Sequence, residues 1–343
     1  MKTLPLRLAV LDVGQGDTIV VTCPSTGEAI VVDCVNEHGV LDYLKSQQVK
    51  IVRGLILTHL HSDHYRRAVG FLNNCRRQLG CGCERVIVNP LPSKLPIPDK
   101  DGDEFPQEFG LLVKWMRENR DAVEYVRPSR HLPLDGTITK QLDFLFPYPA
   151  DYPGALQRGY NNTSIVLRVR GTGSSALLTG DIESSGWELI PRRKTAAKAD
   201  VLKFPHHGAW KKRDGTPADP NSILSEVGAK LVVFSVGSAQ RGYNHPDAHV
   251  FDAVCDAGAT ILCTQATKHC GLATPDAARE QTEPLLRSHL STIGAAPVLC
   301  AKGTPCAGTV IIDLDNKPVV RSPNPAVHKE KIVNGVFKAG HKC

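Results

Sequence analysis

Short, nearly continuous apolar runs bounded by glycine, asparagine and aspartate alternate along this chain with stretches of helical period. The runs Leu8 to Val13, Thr18 to Thr22, Ala29 to Asp33, Gly54 to Thr58 and Arg85 to Val88 read as strands of the buried type. Between the first two, Gly14-Gln15-Gly16-Asp17 makes a tight turn, because glycine tolerates positive φ. Helical spacing predicts helices over Gly39 to Gln47, Arg66 to Gln78 and Gln107 to Glu118. The stretch Pro90 to Asp103, rich in Pro, Lys and Asp, reads as a long exposed loop. From Thr137 the alternation starts again, with strands Leu142 to Phe146, Ser164 to Val169, Ala176 to Thr179, Val201 to Phe204 and Leu231 to Ser235. Helices of this half fall at Ser184 to Ile190, Ser222 to Val227 and Ala248 to Asp256, and Thr309 to Leu314 is a last strand. The chain is expected to be a doubled α/β unit with similar halves.

Composition narrows the class. With 343 residues, 41% hydrophobic and 22% charged, the chain suits a soluble globular protein with a substantial core. No apolar stretch approaches the ~20 residues that cross a bilayer. Arg7 and Asp12 interrupt the amino-terminal apolar region and no cleavage site follows, so a signal peptide is not expected, and a cytoplasmic location with no membrane partner is. The net charge of +6 is compatible with a polyanionic partner. Of the basic runs, Arg66-Arg67 and Lys211-Lys212-Arg213 follow histidine clusters and are the candidates to touch it, whereas Arg76-Arg77 and Arg192-Arg193-Lys194 read as solvated faces. Eleven cysteines without an export signal point to reduced thiols, some of them metal ligands, rather than disulfides.

The chemistry concentrates in Thr58-His59-Leu60-His61-Ser62-Asp63-His64, directly after an apolar strand. His59 and His61 are two apart, so at a strand end they point to one side, while Asp63 and His64 face the same cavity from a turn. Imidazole with carboxylate suits zinc and its first-row neighbours. Leu178-Thr179-Gly180-Asp181 is a strand ending in a carboxylate that can bridge two cations. Val201 to Gly208 repeats the design with His206-His207; on extended backbone adjacent side chains diverge, so one is a ligand and the other lines the cleft. Asn161-Asn162 can position a water or phosphate oxygen or simply turn the chain, and His245 is either an acid or phosphate contact or an ordinary loop histidine.

Together these pieces resemble the metallo-β-lactamase superfamily, and within it the hydrolase domain of the ComEC/Rec2 competence proteins and their stand-alone relatives. The resemblance rests on Leu11-Asp12-Val13-Gly14-Gln15-Gly16-Asp17, Thr58 to His64, Asn161 to Ser164, Leu178 to Asp181, Lys203 to Gly208 and His245-Pro246, in that order. It implies a four-layer αβ/βα sandwich with two divalent metal ions, zinc or manganese, at the sheet edges. By it, His59 and His61 hold one cation, Asp63, His64 and His206 the other, and Asp181 bridges them. Where many relatives supply a further histidine this chain offers Asn161-Asn162, which weakens the first position or selects a harder ion such as manganese.

One domain is expected over residues 1–321, with a Cys-rich insertion at about 264–307 and a basic flexible tail over 322–343 that is a candidate arm for a protein partner. Cys263, Cys270, Cys300 and Cys306, with His269 nearby, suggest a structural zinc site in the insertion, against the plainer reading of buried thiols. Cys75, Cys81 and Cys83 form a smaller group. The expected activity is a metal-dependent phosphodiesterase, a nuclease acting on nucleic acid or a nucleotide. Asp63 would orient the attacking water, and Lys203, His207 or His245 would stabilise or protonate the departing group. The alternatives are hydrolysis of a small molecule such as a cyclic nucleotide, lactone, lactam or thioester, and a metal-bound regulatory module.

Overall fold

A computed structural model describes residues 3–90, 106–126, 134–190, 197–238, 245–270, 275–324, 328–329 and 332. Apart from Pro90, the expected loop over Pro90 to Asp103 lies outside the described residues, as does most of the expected tail. The first half runs β1 (Leu6–Val10), β2 (Ile19–Cys23), β3 (Glu28–Val32), α1 (Glu37–Ser46), β4 (Ile51–Ile56), α2 (Ser62–Tyr65), α3 (Ala68–Leu79), β5 (Val86–Val88), α4 (Pro106–Glu118) and β6 (Val123–Tyr125). The second runs β7 (Leu142–Phe146), α5 (Tyr152–Gln157), β8 (Val166–Arg170), β9 (Ser175–Leu178), α6 (Ser184–Trp187), β10 (Val201–Lys203), α7 (Asn221–Val227), β11 (Leu231–Phe234), α8 (Ala248–Asp256), β12 (Thr260–Cys263), α9 (Pro275–Thr292), β13 (Val310–Leu314) and β14 (Pro318–Ser322).

Two sheets form, in the orders β14-β13-β1-β2-β3-β4-β5-β6 and β12-β11-β10-β9-β8-β7. Each changes from antiparallel to parallel pairing along its width. The short turn between β2 and β3 allows a hairpin, whereas α1 carries the chain back so that β4 pairs parallel to β3. In the second sheet β7, β8 and β9 are antiparallel and β9 to β12 parallel.

Side-chain alternation explains the layering. Leu8, Val10, Ile19, Val21, Ile30 and Val32 meet Leu167, Val169, Val201 and Val233 in one cluster between the sheets. Their strand neighbours Ala9, Val20, Ala29 and Val31 turn the other way, onto a cluster that includes Val40 and Leu44 of α1 and Phe71 of α3. Leu177, Leu202, Val232 and Phe234 pack instead with Trp187, Ile223 and Phe251 of α6, α7 and α8. Both faces of the central strands of the two sheets are buried, which is why those strands read as unbroken apolar runs. The result is the four-layer αβ/βα sandwich implied by the motifs.

Sequence periodicity overlooked β6, β12, β14, α5 and α9. In β14 exposure alternates and Val319 is 45% exposed, so its apolar content is low. The Cys-rich stretch holds α9, which carries Pro284 internally and packs Leu286 and Leu290 into the helix layer of the first sheet. The helix expected from Arg66 begins earlier, as the single turn α2, and resumes at Ala68. No helix among the described residues is long and apolar enough to cross a membrane.

Candidate metal centre

The carboxyl ends of the parallel strands converge at one edge of the sandwich, where ligand sites form in open α/β sheets. His61 is extended (φ −91°, ψ 153°) and caps α2, so the two-residue alternation holds: the rings of His59 and His61 lie 4.7 Å apart. The single turn of α2 then returns His64 to within 4.2 Å of the His59 ring. Gly180 turns the chain after β9 with φ +52°, where a Cβ would sit 2.9 Å from the Ser164 side chain. Asp181 follows, its N–H donating to Ser164 Oγ at 3.0 Å.

Four donors meet here. Asp181 Oδ2 lies 3.2 Å from His64 Nε2 and 3.3 Å from His207 Nε2, and Asp63 Oδ2 lies 3.4 Å from His207 Nε2. Tetrahedral ligands with metal bonds of about 2.0–2.1 Å stand about 3.3 Å apart, which these three separations match, while Asp63 Oδ1 lies farther, 3.8 Å, from His64 Nε2. The Nε2 atoms of His59, His64 and His207 are buried without a hydrogen-bond partner. Their other ring nitrogens are engaged. His64 Nδ1 is 2.7 Å from Asp33 Oδ2, His207 Nδ1 donates to the Ser235 carbonyl at 2.7 Å, and His59 Nδ1 is 3.3 Å from Ser164 Oγ. Such contacts fix the tautomer and aim Nε2 at a cation. Asp63, His64, Asp181 and His207 therefore fit a divalent ion. His59 and His61 stand beside that group; among the described residues they complete no equally tight set of ligand atoms.

Several expected residues fall elsewhere. His207, not His206, has its ring nitrogen in the close group of ligand atoms. The expectation assumed extended backbone, but His206 (φ +46°) and His207 (φ +54°) are both left-handed, inside a turn over Pro205–Gly208. His206 has Nδ1 at 3.6 Å from Glu183 Oε1 and Nε2 at 3.4 Å from Asn161 Nδ2. Lys203, expected at the phosphate, is 1% exposed beneath the centre, where its ammonium pairs with Asp17 and lies 3.6 Å from Asp181 Oδ1. Asn162 is spent on structure: its amide donates to the Arg158 carbonyl and to Glu183, and its Oδ1 accepts from Glu183 N–H. Asn161 stays at the rim, with its Oδ1 buried and unpartnered. His245 lies at the same rim, its ring 6.1 Å from that of His206.

The four cysteines do not converge. No tight ligand group among the described residues contains a cysteine. Cys270 Sγ accepts from the Thr267 N–H, Cys306 Sγ lies 3.5 Å from His328 Nε2, and Cys300 Sγ packs against Gly14.

Burial disfavours every charge here. It pushes His206 and His245 down to about 4, and His59 well below the imidazole range with help from His64 and His61. At His64 burial is overcome by Asp181, Asp33 and Asp63, which raise the imidazole well above its usual range; at His207 Asp181 and Asp63 raise it to about 9. Against their own burial, the Asp63 and Asp181 carboxyls are held low mainly by His64 and His207. An incoming cation would displace the protons on those two imidazoles.

Sequence reasoning missed Asp33, Asp17 and Ser164. Asp33 accepts from the Thr58 N–H and hydroxyl at 2.8 and 2.7 Å besides holding His64. A signal existed: Ile30-Val31-Val32-Asp33 has the same apolar-strand-then-aspartate form as the run into Asp181. With His206 and His207, Asp33 (φ +57°) is one of three left-handed non-glycine residues at this centre, where such strain is usually functional.

Residues 11–76 match the metallo-beta-lactamase superfamily. Over 260 residues the chain is 26% identical to ComE operon protein 3 of Bacillus subtilis (strain 168), a match covering 70% of this chain but only 29% of that protein. Among solved structures, the metallo-beta-lactamase fold protein YhfI of Bacillus subtilis aligns with TM-score 0.44 at 13% identity, over 76% of this chain and 96% of that one. The short form of human tRNase Z aligns with TM-score 0.36 at 13% identity, over 68% and 93%. Structural likenesses this distant say nothing of substrate. The resemblance to metallo-β-lactamase superfamily hydrolases, carried by the motifs, holds.

Proposed function

We propose that this protein is a metal-dependent phosphodiesterase that cuts DNA or RNA. The observation that carries the proposal is the close grouping of Asp63, His64, Asp181 and His207, with three buried imidazole nitrogens left for a cation. A divalent ion held here, zinc or manganese, would supply a water acidified towards a pKa of about 7 and a Lewis acid for phosphoryl oxygens. Asp63 is open to solvent, its side chain 23% exposed, so its carboxylate is the group placed to orient incoming water and accept its proton. His206 and His245 border the cleft as neutral imidazoles at pH 7, able to donate N–H groups to phosphate or leaving oxygens without carrying charge.

A polymer is favoured by the hairpin over 210–217. Trp210 is buried and donates to the Asp219 carbonyl at 3.1 Å, while Lys212 N–H donates to the Thr216 carbonyl at 2.8 Å. This anchors Lys211, Lys212 and Arg213 close to the centre, since Lys211 follows His207 by four residues, at most about 14 Å of chain. Lys212 and Arg213 are exposed. Positive charge close to the centre suits a phosphate backbone. The motif resemblance to competence-protein hydrolase domains leans the same way.

The test uses purified protein with manganese or zinc against single- and double-stranded DNA, RNA, cyclic dinucleotides, bis(4-nitrophenyl) phosphate, a chromogenic lactam and a thioester. Nucleic acid should be cleaved and the lactam left intact. Replacing Lys211, Lys212 and Arg213 by alanine should weaken nucleic-acid binding far more than turnover of the small diester, and should lower the salt dependence of binding by about two to three counterions. Intact phosphodiesters throughout, with lactam or thioester consumed, would replace the proposal with carbonyl hydrolysis.

A further inference from the structure

A second group of ligand atoms lies beneath the metal centre. One oxygen each from Asp17 and Asp33 and a ring nitrogen of His64 fall within 4.8 Å of one another, all buried. Asp17 Oδ1 has no hydrogen-bond partner. His64 belongs to both groups, since Nδ1 meets Asp33 and Nε2 faces Asp181. Carboxylate and imidazole are divalent-cation ligands, and the charged donors here are the two aspartates, since His64 Nδ1 is engaged with Asp33.

The chain brings its own cation instead. Lys203 ends β10, and its side chain is 1% exposed. Its ammonium pairs with Asp17 Oδ2, donates to the Gly180 carbonyl at 3.2 Å and lies 3.6 Å from Asp181 Oδ1. Asp17 in turn reaches the other ligands. Its N–H donates to the Asp63 carbonyl at 2.9 Å, and its Oδ1 is 3.7 Å from His207 Nδ1. The approach of this loop is close enough that a Cβ on Gly16 would fall 2.3 Å from the Asp63 carbonyl oxygen.

We propose that Lys203 is the resident cation of the inner group: it neutralises Asp17 in place of a metal and thereby confines divalent ions to the cluster of Asp63, His64, Asp181 and His207. The inference rests on the metal-centre assignment and not on the substrate. Lysine suits the task because its ammonium is a compact point charge on a long stem. Lys203 and Asp17 are positioning residues. They touch no substrate, but through them the loop after β1 and the ends of β9 and β10 hold the ligands from the two halves in register.

The test is Mn²⁺ binding alone, followed by titration calorimetry and by electron paramagnetic resonance of the bound ion, with circular dichroism to verify folding. Lys203→Met should bind one more Mn²⁺ than the unchanged protein, because Asp17 then lacks a counter-charge while Asp33 keeps only its contact with His64. Asp17→Asn frees Lys203 towards Asp181 and should weaken Mn²⁺ binding about tenfold or more. Asp17→Asn with Lys203→Met removes both charges together and should restore the original stoichiometry. Removing a buried pair as a pair is tolerated far better than removing one partner, so the double variant keeps the test readable if Lys203→Met fails to fold. A folded Lys203→Met protein with unchanged stoichiometry, or an Asp17→Asn protein with unchanged affinity, would overturn the proposal. Unchanged protein that binds no Mn²⁺ would overturn the metal centre itself, and the inner group with it.

Discussion

Replacing Asp181 by asparagine should abolish tight divalent-cation binding and reduce hydrolysis by on the order of a thousandfold or more. Asp181 Oδ2 forms two of the short edges of the donor set, to His64 and to His207, so one carboxylate joins ligands from both halves of the chain. Asparagine keeps the shape and the backbone contact to Ser164 but gives up the charge and one accepting oxygen. The loss is compounded because Lys203, His64 and His207 all face this carboxylate, and without it three cationic or protonatable groups surround the cation's place. Calorimetry and hydrolysis assays read the two effects, and circular dichroism separates them from misfolding. A folded Asp181→Asn protein within tenfold of the original in both would remove Asp181 from the centre.

His207→Ala and His206→Ala should part company just as sharply. Loss of a partner outside the ligand shell typically costs 10–100-fold in metal affinity, so His207→Ala should cost about a hundredfold or more. His206→Ala should stay within about threefold for the metal, because its ring faces Glu183 and Asn161 rather than the donor set, although substrate turnover should fall. Both positions are left-handed and both replacements leave that backbone demand in place, so strain does not bias the comparison. The reverse order of effects would restore the extended-backbone expectation and exclude the turn over Pro205–Gly208.

The contrast between these adjacent histidines shows where sequence stops being informative. Apolar strands ending in ligand residues are local patterns, so β4 with His59 to His64, β9 with Asp181 and β10 with a histidine pair were all legible. Choosing between His206 and His207 needed the φ of the turn, and periodicity assumes the very conformation in question. Lys203 looked available to substrate because its partner, Asp17, is distant in sequence and the pairing exists only once the sheets pack. Asn162 looked like a substrate contact for the same reason, until Arg158 and Glu183 took up its amide. The cysteines misled in the opposite direction. Nearness along the chain suggested convergence, but α9 intervenes between Cys270 and Cys300 and their sulfurs pack against different neighbours.

The central claim is that Asp63, His64, Asp181 and His207 hold a divalent cation between them. Anomalous diffraction from crystals loaded with manganese or zinc tests it most directly. A peak at about 2.0–2.2 Å from one atom of each of the four residues is the predicted result. Crystals saturated with the metal and showing no peak among them, or a peak ligated by His206 with His207 turned away, would contradict it.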